Sequence, residues 1–274
     1  LSIIIPHLKG KDILEECVQS IYDNINSINF ELIIVNNNSQ DQSIDYIVKK
    51  FPDCKIINSK VNKGYAGGCN LGAKHALGKY LFFLNNDTVV TTDCFNFLIN
   101  TIEKNNNISS VQPKIKNFFN KNLFDYAGGC GGYIDYLCYP FVKGRVFGSI
   151  EEYKGQYDKE SKIFWASGTA FLTRKDVFNK VEGFDESLFA HMEEIDYHWK
   201  CLLLGYDIFS QPNALIYHKG GQTLPYGSSE KIFLNHRNSM ILFLTNNFNL
   251  SYSSIMKRII LEKLTVLFYL MKLN

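Results

Sequence analysis

The chain has 274 residues, a formal net charge of +2 and 46% hydrophobic residues. This length and composition predict a globular protein with a substantial core and exclude collagen-like and disordered classes. The small net charge gives no electrostatic reason to bind nucleic acid, so no nucleic-acid partner is expected. Seven scattered cysteines without a C-x-x-C pair indicate reduced thiols and a cytoplasmic setting rather than a disulfide framework or a zinc site.

The first hundred residues alternate between short apolar strands and amphipathic helices. Strands are predicted at 3–6, 31–35, 55–57 and 80–84, helices at 12–22 and 41–48, and a loop leading into a helix at 64–77. This order implies a parallel sheet with right-handed crossovers. The all-apolar run Leu32–Val35 fits a strand that is buried on both faces.

The second part of the chain has a different composition. Residues 112–165 are rich in Gly, Tyr and Phe and are predicted to be irregular, with a β-ribbon. A strand at 165–173, a short helix at 174–181, a loop and helix at 183–206, a strand-like segment at 206–218 and a helix at 228–246 follow. The last segment, Ser254–Leu273, predicts a basic amphipathic helix. Such a helix can pack on the core or a partner, or lie on an anionic membrane surface.

Polar side chains stand where the predicted strands end. His7 follows the first strand, Asn36–Asp41 the second and Asn85–Asp87 the fourth. Turn chemistry alone explains any one of these clusters, because Asn and Asp bond their own backbone. The carboxyl ends of adjacent parallel strands meet at one edge of a sheet, so we expect the clusters to converge on a ligand crevice there.

A glycine-containing segment, Asn62–Asn70, precedes a predicted helix. Glycine lets the backbone approach a phosphate closely, and a helix N-terminus favours negative charge. The spacing is neither G-x-G-x-x-G nor G-x-x-x-x-G-K-S/T, which disfavours a nicotinamide dehydrogenase and a P-loop protein. Asp87 is a hard oxygen ligand that is able to hold Mg²⁺ or Mn²⁺ together with a diphosphate.

Six motifs in sequence order carry a resemblance to a known family. They are LSIIIP at 1–6, IIVNNNSQDQS at 33–43, NKGYAGGCNLGAKHALGKYLFFLNNDT at 62–88, GFDESLFAHMEEIDYHWKCLLLGY at 183–206, IYHKGGQT at 216–223 and HRNSMILFL at 236–244. Together they resemble the inverting family 2 glycosyltransferases with the GT-A fold, over nearly the whole length. The Gly- and Tyr-rich segment 126–171 is similar to the branch often labelled rhamnosyltransferase-like.

The resemblance implies an α/β fold of the GT-A type, with a mostly parallel nucleotide-binding sheet flanked by helices, an acceptor-side region and a helical tail. Residues 1–111 are expected to form the nucleotide-sugar-binding half, 112–227 the acceptor-side and catalytic half of the same domain, and 228–274 the C-terminal helices. The implied partners are a nucleoside diphosphate sugar donor and a glycan or lipid-linked glycan acceptor, and the implied cofactor is Mg²⁺ or Mn²⁺. Bacterial-type surface polysaccharide assembly is the expected setting, with peripheral contact at the inner face of the cell membrane.

The resemblance also implies roles for single residues. Glu194 falls where the catalytic Asp of an E-D pair stands, and Glu193 is the next choice. Asp87 and His218 match metal-binding positions. Nucleotide-sugar-binding roles are implied for Pro6, Asn36, Asn38, Asp41, Asn62, Gly64, Gly67, Asn70, Asn85, Asn86 and Arg145. Acceptor-side roles are implied for Trp165, Gly168, His191, Asp196 and Arg237.

Two positions depart from the family pattern. Asn36 replaces the usual Asp after the second strand and carries no charge, so base selection is expected to be relaxed or altered. Glu194 replaces the usual Asp, and its extra methylene shifts the carboxylate by more than about 1 Å. These departures leave open a non-catalytic nucleotide-binding module, a degenerate transferase. A nucleotidyltransferase is a further alternative, although it would need a basic Gly-rich signature where the chain has HLKGKD at 7–12.

Overall fold

The computed structural model describes residues 1–25, 27–126, 128–146, 148–221 and 227–273. The strands are β1 Ser2–His7, β2 Glu31–Asn36, β3 Lys55–Asn58, β4 Tyr80–Leu84, β5 Thr88–Val90, β6 Ile108–Asn117, β7 Gly132–Ile134, β8 Pro140–Val142, β9 Arg145–Val146, β10 Ser149–Ile150, β11 Ser161–Ile163, β12 Ala170–Arg174 and β13 Asp207–His218. The helices are α1 Lys11–Asn24, α2 Ser43–Lys50, α3 Gly64–His75, α4 Cys94–Ile102, α5 Lys175–Lys180, α6 Glu193–Leu203, α7 Ser229–Thr245 and α8 Tyr252–Leu273, with a short 3₁₀ helix at Glu186–Leu188. Of the motifs quoted above, Ala127, Phe147, Gln222 and Thr223 lie outside the described residues.

A mixed sheet forms the centre, with its strands in the order β11-β13-β6-β12-β4-β1-β2-β3 and β5 beside β13. Strands β4, β1, β2 and β3 are mutually parallel, as predicted for the nucleotide-binding part. Strand β12 lies antiparallel between β4 and β6, and β6 runs parallel to β13. The segment that precedes β12 therefore meets the carboxyl ends of β1, β4, β6 and β13 at one edge of the sheet.

Apolar layers cover both faces of this sheet. Side chains alternate between the faces along a strand, so Ile3 and Ile5 pack under α1 and α4, while Ile4 packs with α3 and α6 on the other face. Phe82 and Phe83 on β4 divide in the same way between the two layers. Burial on both faces explains why these strands carry uninterrupted apolar runs.

Residues 112–117 correct the sequence-based expectation of irregular structure, because they form the second half of the central strand β6. Polar residues hid this strand from pattern analysis. The Gln112 amide donates to the Gly128 carbonyl at 2.7 Å, and Lys114 pairs with Asp158 at 2.6 Å. The boundary expected between residues 111 and 112 therefore lies inside strand β6.

Three smaller differences concern the bounds of elements. The strand expected at 165–173 covers only Ala170–Arg174, and helix α4 and strand β5 had not been predicted. The expected loop before α3 is short, because the helix already begins at Gly64 and includes Gly67.

The seven cysteines are free thiols, and each is buried. Within the part of the chain that the structure describes, no helix combines the length and apolarity that crossing a bilayer requires.

Candidate active site

A cleft of about 1300 Å³ opens at the sheet edge where the strand ends converge. The predicted residues that line it are Pro6, Asn62, Gly64, Asn85, Asn86, Asp87, Arg145, Trp165, Gly168, His191, Glu193, Glu194 and His218. Side chains from α7 and α8 close its other side, among them Lys231, Phe233 and Tyr269. A smaller cavity of about 380 Å³ lies against α1, and none of the predicted site residues lines it.

Asp87 and His218 form a buried pair at the sheet edge. The Nε2 atom of His218 lies 3.1 Å from Oδ1 of Asp87, and its Nδ1 atom lies 2.9 Å from Oδ1 of Asp125. Burial would lower the pKa of the His218 imidazole, but Asp125 and Asp87 outweigh this effect and raise that pKa to about 10. Burial would raise the pKa of Asp87, yet the charge of His218 holds it below its usual value.

The chemistry of this pair fits the divalent cation that the fold family implies. The Asp87 carboxylate oxygen and, once the ring has released its proton on binding, the His218 imidazole nitrogen are ligands that Mn²⁺ accepts. A carboxylate behind the histidine is the usual outer partner of a metal-ligating ring. The described residues contain no cluster of three or more His, Cys, Asp or Glu side chains with metal-binding geometry. A cation held by Asp87 and His218 must therefore complete its shell with water and phosphate oxygens, as Mg²⁺ usually does.

Glu193 and Glu194 begin helix α6 and face the same cleft. Burial raises the pKa of both carboxyl groups, which are hydrogen-bonded to each other. Backbone amides, including that of Gly168, favour the charged form of Glu194, whereas the charge of Glu194 raises the pKa of Glu193 still further. Glu193 therefore holds the proton of the pair. The Oε2 atom of each is buried without a hydrogen-bond partner among the described residues, so Glu194 has an unsatisfied carboxylate oxygen in the wall of the cleft.

The start of α3 is positioned by Asn37, a residue that the sequence analysis did not single out. Its buried Nδ2 donates to Asn62 Oδ1 at 3.0 Å and to the Gly64 carbonyl at 2.9 Å, and its Oδ1 accepts from the Lys63 amide at 2.9 Å. Successive side chains of an extended segment point to opposite sides. This alternation was a sequence signal that the Asn37 side chain points away from those of Asn36 and Asn38. Asn37 thus shapes the side of the cleft at which α3 begins.

Several predicted residues lie away from the cleft and bond within the protein instead. They are Asn36, Asn38, Asp41, Gly67, Asn70, Asp196 and Arg237. Asn36 donates to Asn58 at 2.9 Å, and Asn70 donates to the Phe184 carbonyl at 2.8 Å. Burial would raise the pKa of Asp41, but hydrogen bonds from Ser43, Gly10 and Ser39 hold it well below its usual value. These contacts give the residues a structural use, and their roles toward substrate stay predictions.

Two side chains of α6 and α7 connect the helices near the carboxyl pair. Asp196 is buried and accepts from Asn246 Nδ2 at 2.8 Å. Arg237 Nη2 donates to the carbonyls of Ser187 and Leu188 at 3.1 and 3.0 Å. Both residues therefore bond the framework around the cleft, and their acceptor-side roles stay predictions.

Two cations, Lys231 and Arg145, line the same cleft as the Asp87–His218 pair. Lys231 of α7 lines the cleft, and burial together with the nearby Arg145 lowers its pKa, although Asp125 opposes the shift. The Arg145 guanidinium lies 4.0 Å from the centre of the Tyr126 ring. Sequence patterns had not identified Lys231, because it lies outside every motif.

The parallel strands, the crossover helices and the edge cleft together define an α/β fold of the GT-A glycosyltransferase type, which confirms the predicted fold class. The glycosyl transferase family 2 model matches residues 2–182. The chain therefore belongs to glycosyl transferase family 2. The likeness of segment 126–171 to a rhamnosyltransferase branch stays a prediction.

Similar proteins include two curated relatives and one solved structure. Poly-beta-1,6-N-acetyl-D-glucosamine synthase of Staphylococcus epidermidis is 28% identical over 207 residues, which are 73% of this chain and 46% of the relative. Low-salt glycan biosynthesis hexosyltransferase Agl10 of Haloferax volcanii is 26% identical over 249 residues, 88% of this chain and 74% of the relative. The crystal structure of GalNAc-T7 with UDP, GalNAc and Mn²⁺ has a TM-score of 0.69 at 17% identity. The match covers 87% of this chain and 46% of the GalNAc-T7 chain.

Proposed function

We propose that the chain is the catalytic part of a glycosyltransferase. It moves a sugar from a nucleoside diphosphate sugar to a hydroxyl group of an acceptor, with inversion at the anomeric carbon. The observation that carries the proposal is that the Asp87–His218 pair and the Glu193–Glu194 pair line one cleft. Membership of glycosyl transferase family 2 supports the reaction class.

The residues of the cleft divide the chemistry between them. Asp87 and His218 would hold Mg²⁺ or Mn²⁺, which when bound stabilises the negative charge of the leaving diphosphate. Lys231 and Arg145 add positive charge beside the same position. The Mn²⁺ and UDP named with the GalNAc-T7 structure support the choice of cation and donor class by analogy.

Glu194 is the proposed general base. Its carboxylate takes the proton of the acceptor hydroxyl while that oxygen bonds to the anomeric carbon, and the bond to the diphosphate oxygen breaks with its electron pair. Displacement in a single step from the opposite face inverts the configuration. Glu193, which keeps its own proton, donates a hydrogen bond to Glu194 and orients it.

The proposed sugar is rhamnose, and the proposed setting is bacterial-type surface polysaccharide assembly. The first assignment depends on the likeness of segment 126–171 to the rhamnosyltransferase-like branch. The second is supported by relatives named for poly-beta-1,6-N-acetyl-D-glucosamine and glycan synthesis. A glycan or lipid-linked glycan is the proposed acceptor, because Phe233, Val266 and Leu270 give the α7–α8 end of the cleft an apolar lining.

Helix α8 is the proposed contact with the inner face of the cell membrane. Its outward side chains are apolar over most of its length, and those predicted to share a face are exposed: Met256, Ile259, Ile260, Leu264, Leu267, Phe268 and Met271. Arg258 differs from the sequence-based expectation of a basic surface residue, because it is fully buried and donates to the Leu137 carbonyl and to Ser239 Oγ. Lys257 and Lys263 are two further cations of α8 that an anionic surface can attract.

A transfer assay tests the proposal. The purified chain is incubated with dTDP-, UDP- or GDP-linked sugars and a hydroxyl acceptor, with Mn²⁺ or with a chelator, and NMR reports the anomeric configuration of the product. We expect metal-dependent transfer with inversion, and stronger thermal stabilisation by TDP than by UDP or GDP if the donor is a deoxysugar nucleotide. Nucleotide binding without turnover would indicate a binding module. Formation of a nucleotide sugar from a sugar phosphate would indicate a nucleotidyltransferase.

A further inference from the structure

The segment that leads into α6 has an unusual backbone. Phe189, His191 and Met192 have φ values of +64°, +67° and +74°. At Phe189 the ψ angle is −62°, and the Ala190 amide donates to the Leu188 carbonyl at 2.7 Å, which is a tight γ-turn of the strained kind. Residues other than glycine rarely adopt positive φ values. A run of three such residues therefore persists only where surrounding groups hold it.

One side chain of α7 holds most of this run. Asn238 is fully buried, and its Nδ2 donates to the carbonyls of Leu188, Ala190 and His191 at 2.8, 2.9 and 2.6 Å. An amide nitrogen has two hydrogens, so at least one of them is shared between two carbonyls. Arg237 Nε donates to Asn238 Oδ1 at 2.8 Å, which turns the N–H groups of the amide toward the segment.

The segment joins the two sides of the cleft. On the donor side, the Phe189 carbonyl accepts from the Ala66 amide in the first turn of α3 at 3.1 Å. On the acceptor side, the Met192 carbonyl accepts from the Asp196 amide at 2.9 Å, and Glu193 and Glu194 follow directly as the first residues of α6. The position of Glu194 relative to α3 therefore depends on the geometry of residues 189–192.

We propose that Asn238 is a positioning residue, which acts through the carbonyls of Leu188, Ala190 and His191 to set Glu194 at the correct distance from the donor. This inference rests on the proposed function for its catalytic consequence. Its physical core, that donation by the Asn238 amide maintains the strained segment, is independent of any activity.

Three variants test this role. Asn238→Ala removes the side chain, and Asn238→Asp keeps the shape but has no N–H to donate. Ser239→Ala is the matched control, because Ser239 is also buried, is the next residue of α7, and bonds the Cys138 carbonyl and Arg258 instead of the segment. Hydrogen exchange is measured on peptides that cover residues 187–196 and, as a reference, strand β12.

We expect both Asn238 variants to exchange about tenfold or more faster at 187–196, with β12 unchanged. Ser239→Ala should leave 187–196 as in the wild type. Unchanged exchange in both Asn238 variants, or wild-type behaviour of Asn238→Asp, would overturn the role of the amide.

Kinetics test the catalytic consequence. A misplaced base lowers kcat, and we expect a fall of about 100-fold in Asn238→Ala with the donor KM within about twofold of the wild type. Ser239→Ala should keep kcat within about twofold, since it disturbs a different contact. Equal loss of kcat in Asn238→Ala and Ser239→Ala would show general destabilisation and would refute positioning. A wild-type chain without transfer activity would refute the proposed function, while the exchange data would still decide the role of Asn238.

Discussion

The His218 imidazole lies 3.1 Å from the Asp87 carboxylate although 131 residues separate the two in the chain. Backbone pairing brings them together, because Thr88 of β5 stands opposite His218 of β13 in an antiparallel register. Asp87 immediately precedes β5, so the pair is fixed by a strand contact rather than by flexible loops. A site held on regular elements keeps its geometry without substrate.

Replacement of Asp87 by Asn tests the cation-binding role. The amide keeps the size of the side chain but removes its charge, so transfer should fall by about 100-fold or more, since a bound metal supplies several kcal/mol. The loss should be at least as large as that of Glu194→Gln. Asp12→Asn is the control, because Asp12 is an exposed carboxylate outside the cleft. Isothermal titration of Mn²⁺ with UDP provides a second measurement, and undiminished Mn²⁺ binding by Asp87→Asn would contradict the assignment.

The carboxyl pair gives a prediction that separates its two members. Because Glu193 keeps its proton, Glu193→Gln replaces one neutral hydrogen-bond donor with another and should lower kcat by less than about tenfold. Glu194→Gln removes the base and should lower kcat by about 100-fold or more. The steady-state rate at saturating donor is the measurement. Equal effects, or the larger effect at position 193, would reverse the assigned roles.

Gly64 tests the close approach between α3 and the segment before α6. A Cβ atom at this position would lie 2.1 Å from the Phe189 carbonyl oxygen, and φ is +68°. Gly205 has φ +84° with no atom within 4 Å of such a Cβ. Gly205→Ala should therefore lower the free energy of unfolding, measured in urea, by the cost of the positive φ alone, about 1 to 2 kcal/mol. Gly64→Ala should lower it by distinctly more. Equal costs would mean that the segment moves aside freely.

His198 predicts how stability depends on pH. It is fully buried, and burial lowers its pKa to about 3. The hydrogen bond to the Glu194 carbonyl raises this pKa and offsets the effect of burial only in part. Between about pH 3 and 6.5 the unfolded chain binds a proton at this residue and the folded chain does not, so the free energy of unfolding falls as the pH falls. His198→Gln should reduce the slope by about 1.4 kcal/mol per pH unit between pH 4.5 and 6. Identical slopes in urea titrations of the two proteins would contradict this.

Vesicle binding tests the proposed use of α8. Leu264→Asp places a charge on a side chain that is 55% exposed, and Leu77→Asp does the same at an 84% exposed leucine outside α8. We expect the wild type and Leu77→Asp to co-sediment with vesicles that contain anionic lipid, and Leu264→Asp to bind several-fold more weakly. Equal binding by all three proteins would exclude α8 as the contact. Concentration-dependent dimerisation without vesicle binding would favour a second chain as its partner.

The fold could be predicted where local pattern and final environment agree. Strands β1, β2 and β4 are apolar because both faces are buried, so the alternation of strand and helix was visible in residues 1–90. Strand β6 was missed because Gln112, Lys114 and Lys116 are buried polar residues, and their partners are distant in the chain. Pattern analysis has no access to such partners.

The candidate site could be predicted only where a family motif supplied the residue. Asp87, Glu194 and His218 carry motif positions and line the cleft. Lys231 belongs to no motif, and Asn238 lies in the motif at 236–244 without having been singled out, because the importance of both depends on which carbonyls and charges the fold places beside them. Conversely, Asn36 and Asp41 matched a pattern, but in the structure they bond the surrounding turns.

The antiparallel entry of β12 between β4 and β6 has a consequence for engineering. It places cleft residues from before position 90 and the walls contributed by α7 and α8 on two sides of one cleft. The two sides are remote in sequence and are joined by the segment before α6, which Asn238 of α7 and Ala66 of α3 both bond. A chimera that exchanges the C-terminal helices in order to change acceptor preference would therefore have to retain Lys231 and Asn238 of α7, which are proposed to serve the leaving diphosphate and the position of Glu194.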